Sequence, residues 1–242
     1  MDRSPREETS QERTHEIAAM FDKVAPRYDF LNRVLSMRRD AGWRRRAVAL
    51  ARLDPDQVGL DVGVGTGDLA FELLAASAPT ARVVGVDVSP AMLELLARRA
   101  ASSPLGLRFE ARLADALALP FDDACFDRVV AGFAVRNLAD LPAGLAEMRR
   151  VLRPGGRAVI LEFSTPPSRV VRAASHVYLT QVIPRLAAIL GGDPPAYRYL
   201  PRSVERFPGA EQLSGLLRAA GFSAVRFERL MLGAVAVHVA ER

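Results

Sequence analysis

Residues 60–70 read LDVGVGTGDLA, and the fold is decided there. A short apolar run ends at Asp61 and passes into Gly63, Gly65 and Gly67, spaced two apart. Glycine frees the backbone for positive φ and lets a ligand approach with no Cβ in the way. Leu69, Ala70, Leu73 and Leu74 then fall on one face of a helical pattern. Strand, glycine turn and helix start together make the first crossover of a Rossmann-like sheet, which receives a nucleotide at the strand's carboxyl end.

The acids narrow the ligand. The spacing is G-x-G-x-G, not the G-x-G-x-x-G of dinucleotide sites, and no Gly-Lys-Ser/Thr follows to make a phosphate loop. A carboxylate at Asp61 suits an ammonium and repels a pyrophosphate. S-adenosylmethionine carries that ammonium, a sulfonium and no phosphate. Asp87 ends the next strand, twenty residues after Gly67, where a carboxylate accepts both ribose hydroxyls. Asp115 closes a third apolar-alternating segment and is placed to meet the adenine. The expected cofactor set is Asp61, Gly63, Gly65, Thr66, Gly67, Asp87, Asp115, Ala116 and Gly132. The competing reading, tight turns with N-capping aspartates, leaves acids at three successive strand ends without a common cause.

With 242 residues, half of them apolar, the chain makes one generous domain or a domain with an appendage. The net charge of +5 rests on arginine, since Lys23 is the one lysine. The excess reads first as a solvated face and second as a weak attraction to anionic lipid or nucleic acid. A single cysteine, Cys125, makes no internal disulfide, and no Cys/His cluster offers a metal site. The start is polar without a signal-peptide core, and no apolar run reaches the length of a membrane span. These features fit a reducing cytoplasm.

Residues 1–13 are charged and apolar-poor and read as a disordered tail. Residues 14–56 carry helical patterns, with Ile17, Met20, Phe21 and Val24 three or four apart, and are expected to cap the nucleotide site. Residues 57–242 form the nucleotide-binding domain, with strands expected at 58–62, 82–88, 107–113, 128–133 and 157–163. Helices at 89–100 and 141–152 alternate with them, the pattern of a parallel sheet covered on both faces. Residues 164–200 break the rhythm as an insertion. A helix at 211–220 and strands at 224–230 and 234–240 then finish the sheet as a hairpin. The expected fold is α/β and Rossmann-like: seven mostly parallel strands, helices on both faces and an N-terminal helical cap.

Several segments resemble one family closely. They include Met20-Phe21-Asp22 with Ala25-Pro26-Arg27-Tyr28-Asp29 and Asn32, Leu35-Ser36 with Trp43-Arg44, and the glycine loop. Further on come Leu119-Pro120-Phe121, Phe133 with Arg136-Asn137, RVLRPGGR, LEFSTP and AYRYLPRSVERFP. Together they are similar to the S-adenosylmethionine-dependent quinone C-methyltransferases of the UbiE/MenG family, over almost the whole chain after the tail. The resemblance implies a class I methyltransferase fold and methylation of the ring of a prenylated quinol. Demethylmenaquinol is the first acceptor to consider and a ubiquinol precursor the second. The chain departs from the family where Arg38 and Asp40 replace a usual Gly and His, and at Gly132 and Ala134. The non-glycine residue at 38 sits closer to the menaquinone side.

The chemistry such a reaction needs points to further residues. A phenol has a pKa near ~10, and a nearby guanidinium favours its anion. Arg136 is the candidate cation, with Asn137 and Tyr28 fixing the oxygens and a water held by Arg136 or by Asp29 taking the proton. Each has a bland reading beside it. Arg136 pairs with Glu162, Asn137 caps the following helix, and Tyr28 and Asp29 pack and cap the leader. Tyr178, Tyr197 and Tyr199 line a quinone channel or belong to the core, and His176 and His238 sit on apolar faces. No metal is required, because the leaving group departs as a neutral thioether. The other readings are a methyltransferase for a different small molecule and a non-catalytic cofactor-binding protein. Nucleic acid is not an expected partner, since the basic residues are dispersed. Peripheral contact with a membrane and a homo-oligomer both remain compatible with the sequence.

Overall fold

The computed structural model describes the backbone of residues 5–190 and 194–242 and the side chains of residues 9–190 and 199–242. Three helices, α1 (Pro5–Val24), α2 (Tyr28–Leu35) and α3 (Asp40–Ala51), precede β1 (Val58–Val62). Then come α4 (Asp68–Ala76), β2 (Arg82–Asp87), α5 (Pro90–Ala101), β3 (Phe109–Leu113), β4 (Phe126–Gly132), α6 (Leu141–Val151) and β5 (Leu152–Phe163). The insertion holds α7 (Arg169–Val177), a π-helical turn Tyr178–Val182, α8 (Ile183–Ile189) and α9 (Pro194–Arg206). The chain ends with α10 (Ala210–Ala219), β6 (Val225–Leu230) and β7 (Val235–Glu241).

The seven strands lie in the order β3-β2-β1-β4-β5-β7-β6, all parallel except β7. Leu60 pairs with Val84 on one side and Val129 on the other, so the strand order reverses at β1 and β4. A crevice opens at such a switch point beyond the carboxyl ends of the strands. The closing hairpin seats β7 between β5 and β6, with Ile160 opposite His238 and Phe227 opposite His238 on its far side.

Alternating strand residues feed two apolar layers. Ala158 and Ile160 of β5 join Leu145 and Met148 of α6 and Leu213 and Leu217 of α10. Val159 and Leu161 face the other way, into Val48 of α3, Leu73 of α4 and Leu96 of α5. Each fully buried Leu or Ile contributes about 1.5–3 kcal/mol. Leu60, Leu73, Leu145 and Ile160 therefore fix the crevice walls more firmly than surface ion pairs do, at about 0–1 kcal/mol each.

Several boundaries differ from the sequence reading. The stretch expected as a disordered tail, 1–13, is helical from Pro5 onward, and residues 1–4 lie outside the described residues. The third strand starts at Phe109, because Pro104–Arg108 forms a 3-10 turn. β5 starts at Leu152, ahead of the expected 157, and its pairing with β4 shifts register between Phe126 and Arg128. α3 packs on α4 and β5, with Trp43 6.0 Å from the Phe133 ring, and its Asp40, Trp43 and Arg44 line a cavity beside the glycine loop. No helix among the described residues is long and apolar enough to cross a membrane.

Candidate active site

The glycine loop has the backbone its sequence implies. Gly63 and Gly65 have φ of 72° and 54°, and a Cβ on Gly63 would overlap that of Ala134. Asp61, at the end of β1, is 1% exposed, and neither carboxylate oxygen meets hydrogen-bond geometry with a donor among the described residues. Burial, and then the Asp87 carboxylate, push its pKa up to about 8. A buried carboxylate left without a partner is costly. It lines the cavity beside the glycine turn, and this fits the ammonium end of S-adenosylmethionine. Gly67 (φ 89°), also in the expected cofactor set, lies between Thr66 and Asp68 of the cavity lining. It opens α4, and a Cβ there would strike Leu96.

Asp87 pins the loop from the next strand. Its Oδ2 accepts from the Gly65 amide at 2.8 Å and its Oδ1 from the Ser89 amide at 2.9 Å. Each oxygen has a further lone pair, on the wall of a small cavity of about 80 Å³ shared with Asp115, Ala116 and Asn137. Burial raises the pKa of Asp87, against its backbone hydrogen bonds. Asp115 turns Oδ1 to the Leu117 amide at 2.9 Å. Thr14, Ile17 and Phe21 of α1 close the cavity from above.

A second, larger cavity of about 740 Å³ adjoins it, and Tyr28, Gly63, Gly65 and Gly132 belong to both walls. Its polar lining includes Tyr28, Asp29 and Arg136, and also Asp40, Arg44, Arg172, His176 and Glu205. Arg136 pairs with Glu162 at 3.1 Å, and both side chains are buried at 7% and 1%. The same guanidinium nitrogen donates to the Phe133 carbonyl. Burial raises the pKa of Glu162 and the Arg136 cation pulls it back. The ion pair that sequence offered as the bland reading is therefore present, and it holds Arg136 against the cavity wall. Burial likewise raises the phenol of Tyr28, opposed by Arg136 and by Asn32. Tyr199 donates to Asn137 Oδ1 at 3.2 Å. Asn137 is not a helix cap, because Asp140 caps α6 through the Ala143 amide. Thr66 donates to Asp29 at 2.6 Å, joining a candidate cofactor residue to a candidate catalytic one.

Much of the remaining wall is apolar, including Leu35, Phe133, Phe163, Leu179 and Ile183. Phe133 stands at φ 56°, between Trp43 and Phe163, whose ring lies 5.0 Å away. Tyr178 faces this cavity while donating to the Leu35 carbonyl at 2.7 Å, and Tyr197 lies outside the described side chains. His176 is exposed and pairs with Glu205 at 3.0 Å, so it does not sit on an apolar face. His238 is buried, 2.9 Å from the Ala210 carbonyl.

Residues 7–242 match the model of the ubiE/COQ5 methyltransferase family. The chain belongs to that family. A demethylmenaquinone methyltransferase of Thermus thermophilus is 49% identical over 92% of this chain and 100% of that one. A ubiquinone/menaquinone biosynthesis C-methyltransferase UbiE of Geobacter sulfurreducens is 41% identical over 96% and 90%. Among solved structures, the [4+2]-cyclase SpnF superposes with a TM-score of 0.71 at 19% identity, covering 95% of this chain and 96% of that one. That likeness bears on fold alone. The fold, the match and the orphaned Asp61 agree on a methyltransferase that uses S-adenosylmethionine.

One link escaped the sequence reading. Asp22 of α1 accepts from Ser89 Oγ at 2.6 Å and from the Ala91 amide at 3.1 Å. Ser89 also caps α5 and meets Asp87, so α1 is tied to the loop that Asp87 holds. The Phe-Asp of the leader was visible, but a partner 67 residues away was not. Losing an N-terminal cap costs about 0.5–2 kcal/mol. Asp22→Ala is accordingly expected to weaken S-adenosylmethionine binding roughly tenfold, and Asp22→Asn, which keeps an acceptor, by less. Isothermal titration of both variants decides it, and an unchanged Asp22→Ala would remove the link from cofactor binding.

Proposed function

We propose that this enzyme methylates the ring carbon of a prenylated quinol, demethylmenaquinol first. The observation that carries the reading is the large cavity itself. Its wall is mostly apolar, and Arg136, Tyr28 and Asp29 line it together with Gly63 and Gly65 of the glycine loop. An isoprenoid chain fits the apolar wall and a hydroquinol head fits beside Arg136, Tyr28 and Asp29. S-adenosylmethionine, when bound, supplies an electrophilic methyl group on sulfur and leaves as a neutral thioether. Asp61 and the loop amides hold its amino-acid end, and Asp87 and Asp115 hold its nucleoside.

On the acceptor side, Arg136 stabilises the phenolate that makes the ring carbon nucleophilic, since a cation close by favours the ionised form. Arginine stays protonated, so it orients and stabilises and does not act as the base. Asp29 lines the cavity and is the carboxylate assigned to take the hydroxyl proton. Tyr28, Asn137 and Tyr199 position the quinol oxygens. Alignment inside a dry cavity supplies much of the rate. A ubiquinol precursor is the second reading, favoured by relatives named for both pathways. Because such a quinol resides in a bilayer, the proposal includes peripheral contact with a membrane.

The test is an assay with labelled S-adenosylmethionine and two reduced acceptors, a demethylmenaquinol and a demethylated ubiquinol precursor. Label is expected in the naphthoquinol. Label in neither, with cofactor binding intact, would sink the quinol reading.

A further inference from the structure

The large cavity opens through a rim that is apolar and exposed at once. Met37, Val170 and Leu232 line the cavity yet stand 55%, 79% and 76% exposed. They come from three separate segments: the turn after α2, the first turn of α7 and the turn between β6 and β7. Two of these turns hold non-glycine residues in the left-handed region, Met37 and Arg38 at φ 53° and 60°, Met231 and Leu232 at 48° and 56°. Such conformations cost energy and persist where the surroundings impose them. Here they aim large apolar side chains into solvent, where burial returns nothing. α7, between them, has no buried residue.

Arginines stand beside these apolar tips. Arg38, Arg39 and Arg169 are exposed, and no ion pair joins them to a carboxylate among the described residues. The acids nearby are engaged: Asp40 with Ser36 and Arg44, Glu205 with His176. Apolar tips flanked by unpaired cations match the boundary of an anionic bilayer, which takes apolar side chains below the headgroups and attracts arginines at them. We propose that this rim docks on an anionic membrane, with Met37, Val170 and Leu232 in the acyl boundary and Arg38, Arg39 and Arg169 among the phosphates. The mostly apolar wall of the cavity then opens toward the acyl region. This rests on the quinol reading for its purpose, not for its existence.

Flotation of the full chain with phosphatidylcholine vesicles, with and without phosphatidylglycerol, tests it. The enzyme is expected to float with the anionic vesicles and to be released by salt. Arg38→Glu/Arg39→Glu is expected to lose at least about fivefold in vesicle affinity per arginine, and to keep its turnover of a quinol without a prenyl tail. Met37→Asn/Leu232→Asn preserves left-handed turns that asparagine tolerates. It is expected to lose about tenfold or more in vesicle affinity with S-adenosylmethionine affinity unchanged. An enzyme that stays in the lipid-free fraction overturns the proposal, as do both variants floating like the parent; a rim that binds protein instead would give the first result. Flotation without methylation of either quinol would support the surface and count against the quinol reading.

Discussion

Asp61→Asn is expected to weaken S-adenosylmethionine binding by about 30-fold or more and, at pH 8, to raise the melting temperature of the ligand-free protein. Both effects come from one buried carboxylate. Its pKa is about 8 in the fold against ~3.9 in an unfolded chain, so folding takes up a proton. The stability this group allows is fully present below pH ~4 and is lost progressively as pH rises through about 8. Asparagine carries no charge at any pH and escapes that loss. Thermal melts from pH 5 to 8 should therefore converge at the acid end and separate at the basic end. The cofactor's ammonium reverses the balance, since it favours the ionised carboxylate. Binding near neutral pH then releases a proton, approaching one per site, and affinity climbs by up to about tenfold per pH unit between 6 and 8. Removing one partner of a buried charged pair costs about 2–5 kcal/mol, which sets the lower bound at about 30-fold. Titration calorimetry in buffers of different ionisation enthalpy reads the proton directly. Equal affinity in the variant, or heats that ignore the buffer, would place the ammonium elsewhere.

What the sequence disclosed about this site is what local chain chemistry determines. Asp61, Asp87 and Asp115 were legible because each ends an apolar run next to a turn, and parallel topology then puts strand ends together. Gly63 and Gly65 were legible for the same reason, and so were the seven strands and the closing hairpin. Gly67 shows that a glycine in a motif and a glycine required by packing look alike in a string. Here Leu96, 29 residues on, is what excludes a side chain. The helix that begins at Pro5 has no clear apolar stripe in its first turns, and α1 is secured by its packing on α5. Arg136 was found with both of its readings, and only geometry shows that the Glu162 pair and the cavity wall coexist. The two strained turns of the rim had no local signal, since Met37, Arg38, Met231 and Leu232 take positive φ without being glycine.

Arg136→Met is expected to lower kcat by about a hundredfold to a thousandfold and to destabilise the fold, while Arg136→Met/Glu162→Gln recovers the fold and none of the activity. The magnitude on rate is that of removing one preorganised charge-stabilising donor. The structural cost has a separate origin. Without its cation, Glu162 is a carboxylate 1% exposed with no counter-charge, and breaking a buried pair costs about 3–5 kcal/mol. Its pKa, already raised by burial and held back by Arg136, then rises further. The single variant therefore loses stability as pH rises and keeps most of it in acid. The Phe163 and residue-136 amides donate to Oε1 and Oε2 of Glu162 in the parent, and glutamine removes the charge while keeping an acceptor for one of them. The double variant should recover most of the lost stability and lose the pH dependence that an unpaired Glu162 imposes. Its turnover reports on the guanidinium alone, because the fold is no longer in question. With the cation gone the quinol ionises nearer its free pKa of ~10, so residual kcat should climb with pH across the range where the parent is already flat. Arg136→Lys keeps a point charge and loses the planar guanidinium whose Nη1 holds Phe133 and Glu162 together, and it should fall between the two. A double variant that turns over like the parent at neutral pH would reduce Arg136 to the partner of Glu162. A basic shift of its rate profile would make it the group that ionises the acceptor.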